Sequence, residues 1–183
     1  MRMVERAHEL LGEALREGDL AIDATAGNGH DMAFLAGQVG SSGMVYAFDL
    51  QKEAIEATRN LLAEKELENV ELHQCGHERM EEALPSEIFG QVTGVTFNLG
   101  YLPGGDKSVV TQAATTRMAL RLSMDLLRPG GLLVVVAYRG HPGGTEECDA
   151  VRDELSSLTE DLSIEGDASS DATSPLLLAA RKA

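Results

Sequence analysis

Leu20-Ala-Ile-Asp-Ala-Thr-Ala-Gly-Asn-Gly-His-Asp31 decides how the rest of this chain is read. Leu20 to Asp23 has strand character, and Met32-Ala-Phe-Leu-Ala36 is apolar enough for a buried helix. The small residues between them make a tight strand-to-helix turn. Gly27 and Gly29 can adopt backbone angles closed to other residues, and without side chains they let a ligand lie against the main chain. The helix that follows turns unpaired N–H groups toward the same space. A bare turn without a ligand would carry the same two glycines, so the rest of the chain has to separate the two readings.

The dinucleotide fingerprint G-x-G-x-x-G is broken, because Met32 stands at its third glycine. The pattern is Asp-x-x-x-Gly-x-Gly, with Asp23 before the turn, and Asp49 closes a second strand, Val45-Tyr-Ala-Phe-Asp49, twenty residues past Gly29. An acid at that distance is placed to accept both hydroxyls of an adenosine ribose. This arrangement resembles the class I S-adenosylmethionine-dependent methyltransferases, with Thr25 where their motif usually has its first glycine.

Length and composition fit a single domain over residues 1–183, large enough to bury a core. No run of eighteen apolar residues exists and Met1-Arg-Met-Val-Glu-Arg6 lacks an apolar signal core, so the expectation is a cytoplasmic protein with no membrane partner. Cys75 and Cys148 are too few for a disulfide framework and read as free thiols. Thirty acids against fifteen bases give a net charge of −15, which repels a polyanion and argues against a general nucleic-acid coat. A local basic mouth remains compatible with it. Lys107, Arg117, Arg121, Arg128 and Arg139 all fall after the presumed substrate strand.

The remaining pattern alternates. Glu5 to Leu15 puts Ala7, Leu10, Leu11, Ala14 and Leu15 on one helical stripe, expected to pack beside the glycine turn. Lys52 to Lys65 reads as a helix, Val70 to Gln74 as a strand, Glu78 to Leu84 as a short helix and Val92 to Asn98 as the fourth strand. A glycine- and proline-rich loop, Leu99 to Lys107, leads to a helix over Ser108 to Leu127, stopped by Pro129-Gly-Gly131. Leu132 to Tyr138 is an uninterrupted apolar run, the mark of a strand covered on both faces. A last helix spans Glu146 to Leu162, and Leu162 to Glu165 and Leu176 to Ala180 close the chain as strands around the loop Gly166 to Ser174. The expected fold is α/β: a Rossmann-like doubly wound sheet of seven strands with an antiparallel C-terminal edge.

In such a sheet the ligand sits beyond the C-terminal strand ends, near the point where the winding reverses. Asn98-Leu-Gly-Tyr101 ends the fourth strand and resembles the Asn/Asp-Pro-Pro-Tyr signature of amine-directed methyltransferases, with Leu-Gly for Pro-Pro. An amine nucleophile needs acceptors for its N–H bonds, and the Asn98 side-chain oxygen and Leu99 carbonyl suit that task. Tyr101 can stack on a base. Gly104-Gly-Asp106-Lys107 reads as a lid with one base for a phosphate, and Tyr138-Arg139-Gly-His141 closes the fifth strand with groups for phosphate and proton. His73, Cys75 and His77 alternate, but a fourth ligand at sensible spacing is missing, so no metal is assigned. Neither a Gly-x-Ser-x-Gly elbow nor a P-loop is present to support hydrolase or NTPase chemistry.

Asp23 to Asp31, Phe48 to Gln51, Asn98-Leu-Gly-Tyr-Leu-Pro-Gly-Gly-Asp-Lys107 and Tyr138 to Pro142 together resemble the small bacterial "putative rRNA methylase" family of class I methyltransferases. Its members methylate transfer RNA, converting 5-aminomethyl-2-thiouridine at the wobble position to the methylaminomethyl form. The resemblance implies S-adenosyl-L-methionine as cofactor and an RNA substrate, the anticodon region of tRNA. The candidate cofactor residues are then Asp23, Ala26, Gly27, Asn28, Gly29, Asp31, Asp49, Leu50, Gln51, His77 and Asn98. Asn98, Tyr101 and His141 are the candidate catalytic residues, with Gly104, Asp106, Lys107, Tyr138 and Arg139 toward substrate. The acidic surface implies that RNA is held by a few bases at the mouth or by a partner subunit, which leaves a homodimer open. A methyltransferase for rRNA or for a small amine, and a non-catalytic cofactor-binding module, are the competing readings.

Overall fold

The computed structural model describes residues 2–105, 109–166 and 174–183. Its elements alternate as the sequence predicts: α1 (Met3–Ala14), β1 (Leu20–Asp23), α2 (His30–Val39), β2 (Met44–Phe48), α3 (Lys52–Glu64), β3 (Val70–His73), a short α4 (Met80–Ala83) entered through a 3-10 turn, β4 (Val92–Leu99), α5 (Ala113–Leu126), β5 (Leu127–Ala137), α6 (Gly144–Leu158), β6 (Leu162–Glu165) and β7 (Leu176–Arg181). The strands form one sheet in the order β3-β2-β1-β4-β5-β7-β6. β1 to β5 pair in parallel, and β7 inserts antiparallel between β5 and β6. This is the Rossmann-like class I methyltransferase sheet, with its antiparallel pair at the C-terminal end.

Alternation along the central strands explains why both faces are covered. In β5, Leu133, Val135 and Ala137 join one core with α5 and α6, while Leu132, Val134 and Val136 join the other with α1 and α2. The uninterrupted apolar run is thus two interleaved faces, each buried against helices. α1 comes close to the sheet at Gly94, where a Cβ would stand 3.1 Å from Leu11 Cδ2 and 3.3 Å from Leu15 Cδ2. A side chain at that position would lift α1 off β4.

Three elements differ from the sequence reading by more than two residues at an end. α5 begins at Ala113 instead of Ser108, because Val110 bridges Tyr101 and the Thr111 N–H donates to the Gly100 carbonyl at 3.0 Å, holding the chain extended. Ser108 itself lies outside the described residues, as does most of the expected loop between β6 and β7. β5 begins at Leu127, since Arg128-Pro-Gly-Gly131 forms an irregular extension between the Val92–Leu127 and Gly94–Leu132 pairs. α6 covers Gly144–Leu158, earlier at both ends than the expected Glu146 to Leu162, because Leu162 is already paired with Ala180 in the sheet.

Among the described residues no helix is long and apolar enough to cross a membrane.

The winding reverses between the parallel strands β1 and β4: from β1 the sheet grows outward to β2 and β3, and from β4 the other way to β5. A crevice therefore opens beyond their C-terminal ends.

Candidate active site

The turn after β1 is built by its glycines and pinned by a carboxylate. Gly27 and Gly29 take φ of +52° and +81°, the left-handed region where a Cβ is strained. Gly29 also has to be small, as a Cβ there would lie 3.2 Å from the Thr58 Cα on α3. The Gly27 N–H donates to Asp49 Oδ2 at 2.9 Å, and the Gln51 N–H donates to Asp49 Oδ1 at the same distance. Asp49 thus ties the turn after β1 to the entry of α3. Burial raises its pKa, and those backbone N–H groups pull it back.

Thr25, standing where the motif usually has glycine, joins the two central loops. Its N–H donates to Asp23 Oδ1 at 3.1 Å, and its hydroxyl accepts the Asn98 backbone N–H at 2.7 Å. Asn98 also donates through Nδ2 to Asp31 Oδ2, and its Oδ1 is buried without a partner among the described residues. His77 sits edge-on to Phe97, burial lowers its pKa and so favours the neutral imidazole, and its Nε2 has no partner among the described residues. Tyr138 is half-exposed, and its pKa is raised by burial and by the charge of Asp31. His141 donates from Nδ1 to the Pro142 carbonyl at 3.1 Å, and its buried Nε2 has no partner among the described residues. Tyr101 packs edge-to-face on its ring at 6.2 Å.

These groups converge on one cavity of about 630 Å³. Ala26, Gly27, Asn28, Asp31, Asp49, Leu50, Gln51, His77 and Asn98 line it on the glycine side, and Tyr101, Tyr138 and His141 on the β4–β5 side. Leu50 is 65% exposed at its rim. Asn28 reaches across it, its Nδ2 donating to the Pro103 carbonyl at 3.4 Å.

Six expected residues stand elsewhere or outside the described residues. Asp23 is fully buried behind the turn and does not reach the cavity wall; burial and the neighbouring Asp31 charge push its pKa well up. Gly29 caps α2 against Thr58, so it shapes the cradle without lining it. Arg139 is 8% exposed, with its Nε donating to the Ser174 carbonyl at 2.6 Å, directed at the β7 side in place of the cavity. Gly104 adjoins the lining at Pro103 but is not part of it, and Asp106 and Lys107 lie outside the described residues. The alternation of His73, Cys75 and His77 also dissolves, because β3 ends at His73, whose ring stacks on Phe48 at 4.7 Å. No group of three metal-binding side chains occurs among the described residues.

The structure adds residues that the sequence did not single out. Val4 from α1 and Thr111, Gln112 and Thr115 before and within α5 line the cavity. The last three were hidden by the expected helix start at Ser108. Val4 carries no signal in sequence, being one more apolar residue near a helix start.

Comparison with known proteins goes further than the sheet. A family model described as "Putative rRNA methylase" matches residues 45–165. The tRNA (mnm(5)s(2)U34)-methyltransferase, chloroplastic, of Arabidopsis thaliana is 45% identical over 159 residues, 82% of this chain. The chain spans 57% of that relative's length. A solved "putative rRNA-methylase" of Clostridium thermocellum superposes with a TM-score of 0.93 at 35% identity, covering 100% of this chain and 98% of its own. A Streptococcus mutans "putative methyltransferase", solved in complex with SAH, gives a TM-score of 0.86 at 33% identity, covering 100% and 99%. With more than half the sequence under the family model and full-length structural relatives at such identity, this chain belongs to the "Putative rRNA methylase" family.

Proposed function

We propose that the chain is an S-adenosyl-L-methionine-dependent N-methyltransferase that methylates the 5-aminomethyl group of 2-thiouridine at the tRNA wobble position. The observation that carries this reading is Asn98 Oδ1: a buried acceptor without a partner among the described residues, at the end of β4, in the same cavity as the Asp49 cradle. An unsatisfied buried carbonyl costs about 1–3 kcal/mol, and an N–H of the substrate amine would relieve it. The solved relative with SAH and the tRNA methyltransferase relative support the same choice of cofactor and substrate.

The cavity suits the cofactor on its own terms. Its volume of about 630 Å³ falls within the usual range for small-molecule sites. Asp49 would hold the ribose hydroxyls, the left-handed Gly27 lets the ligand meet the main chain, and His77, whose Nε2 has no partner among the described residues, and Leu50 at the rim would border the adenosine. When bound, the cofactor supplies an activated methyl group to the amine nitrogen. Asn98 orients that nitrogen by accepting an N–H, which directs its lone pair away from Asn98. The amide cannot take the proton that the amine must lose; His141, whose Nε2 has no partner among the described residues, and solvent are the acceptors at hand. Tyr101 and Tyr138, both half-exposed, would border the nucleoside end of the cavity.

A small-molecule amine is the second reading, favoured by the net charge of −15. Nucleoside mass spectrometry of tRNA from a strain lacking the gene separates the two. The wobble enzyme predicts accumulation of 5-aminomethyl-2-thiouridine with loss of its methylated form. Unchanged tRNA removes the RNA assignment.

A further inference from the structure

His8 lies on α1, outside every motif the sequence offered, yet it reaches the acceptor. Its ring lies flat on Phe34 of α2, with centroids 4.0 Å apart and 3° between planes, so its orientation is set by packing. From there Nε2 donates to Asp31 Oδ1 at 2.5 Å, and Asp31 Oδ2 receives Nδ2 of Asn98. A carboxylate only accepts hydrogen bonds, so the Asn98 amide must turn its NH2 to Asp31 and its Oδ1 the other way. The Asn98 backbone N–H is held by the Thr25 hydroxyl at 2.7 Å, leaving the side-chain torsions as the freedom that Asp31 removes.

We propose that His8 is a positioning residue for methyl transfer: through Asp31 it fixes the Asn98 amide with Oδ1 presented as the acceptor for the substrate amine. The inference rests on the amine-methyltransferase reading of this cavity and adds to it that α1 is a working wall of the site. Three elements that are distant in sequence, α1, α2 and β4, meet in this one relay. Its geometry has a physical rationale. Asp31 lies near the buried Asp23 carboxyl, and its two oxygens are taken up separately by His8 and Asn98, so the donor on Oδ1 keeps the carboxylate from turning toward a different partner. Without His8 the carboxylate rotates, and the amide it holds loses its single orientation. Small misplacements of a group that orients a nucleophile lower turnover strongly while leaving ground-state affinity nearly unchanged.

The test compares His8→Phe, which keeps the flat packing on Phe34 but removes the donor, with His8→Gln, which restores an N–H near the Nε2 position. For His8→Phe the expected result is a fall in kcat of about tenfold, with KM for tRNA and Kd for S-adenosylhomocysteine within about threefold of wild type, and recovery toward wild type in His8→Gln. A merely structural His8 would lower S-adenosylhomocysteine affinity and melting temperature together with kcat, and that pattern overturns the proposal, as does an unchanged kcat. A readout independent of turnover is the Asn98 side-chain NH2 signal in nitrogen-15 NMR, identified by its loss in Asn98→Ser. Its protons should be protected from solvent exchange in wild type, exposed in His8→Phe and protected again in His8→Gln; equal protection in wild type and His8→Phe overturns the proposal. If wild type methylates no tRNA, the functional reading falls, and the NMR comparison still decides the role of His8.

Discussion

Asp49 and Asn98 line one cavity from the ends of different strands and make separable predictions. Asp49 accepts two backbone N–H groups and sits where a ribose would be held, so Asp49→Ala removes charge-assisted hydrogen bonds worth about 1.5–3 kcal/mol each. Calorimetry with S-adenosylhomocysteine should show at least about a tenfold loss of affinity for that variant, and undiminished binding would remove the ribose assignment. Asn98→Ala should bind the same ligand within about twofold of wild type and lose most of its turnover, the signature of an interaction with the reacting amine. Thr25 explains a departure from the family motif at the same scale. A glycine there would leave the Asn98 N–H without its 2.7 Å acceptor, so the residue that breaks the glycine pattern is the one that locks β1 to β4.

At the scale of elements, the segment before α5 matters most. Residues 109–112 run beneath the cavity instead of forming the first turn of the helix, and α6 holds them there through one buried carboxylate. Glu147 is 2% exposed; it accepts the Thr111 hydroxyl through Oε2 and the Thr116 hydroxyl through Oε1, both at 2.6 Å. Thr116→Val keeps the shape and removes one donor, leaving a buried oxygen unpaired. Urea unfolding should register a loss of about 1–3 kcal/mol, and a neutral result would mean that water replaces the hydroxyl. The same two helices are also joined by Glu154, 3% exposed, which pairs with Arg121 at 2.6 Å and Arg117 at 3.5 Å. Both arginines, which sequence order places in the substrate half, therefore serve the α5–α6 contact.

The whole molecule poses an electrostatic problem. Its net charge of −15 opposes RNA, and the arginines expected near the mouth are engaged: Arg117 and Arg121 with Glu154, Arg128 with Asp19 at 3.9 Å, and Arg139 with the Ser174 carbonyl. Under the proposed function, a tRNA bound to such a surface would be held mainly by its unpaired wobble nucleoside, beside Tyr101 and Tyr138 in the cavity, and by few phosphates. Each phosphate contact contributes about 0.9 to the slope of log affinity against log salt for a duplex and about 0.7 for a single strand. Fluorescence anisotropy with labelled tRNA should therefore give a slope of magnitude about 3 or less. A slope near −6 would reveal a cationic surface that this distribution of charge does not offer.

The order of strands and helices, the double burial of β5 and the cradle between Gly27 and Asp49 were all determined by sequence, because apolar periodicity and glycine placement act locally and survive without knowledge of contacts. So was the placement of Asn98 and Tyr101 together on the cavity wall at one strand end, since a few adjacent residues carry it. What only the tertiary structure decided were matters of direction and of distant partners. Asp23 and Arg139 turn away from the cavity because burial and a carbonyl claim them, and the chain before α5 stays extended because Tyr101 and Gly100 bind it across a loop. His8 joins the site because packing on Phe34 carries a residue from α1 to a carboxylate on α2, a contact that no spacing along the chain encodes.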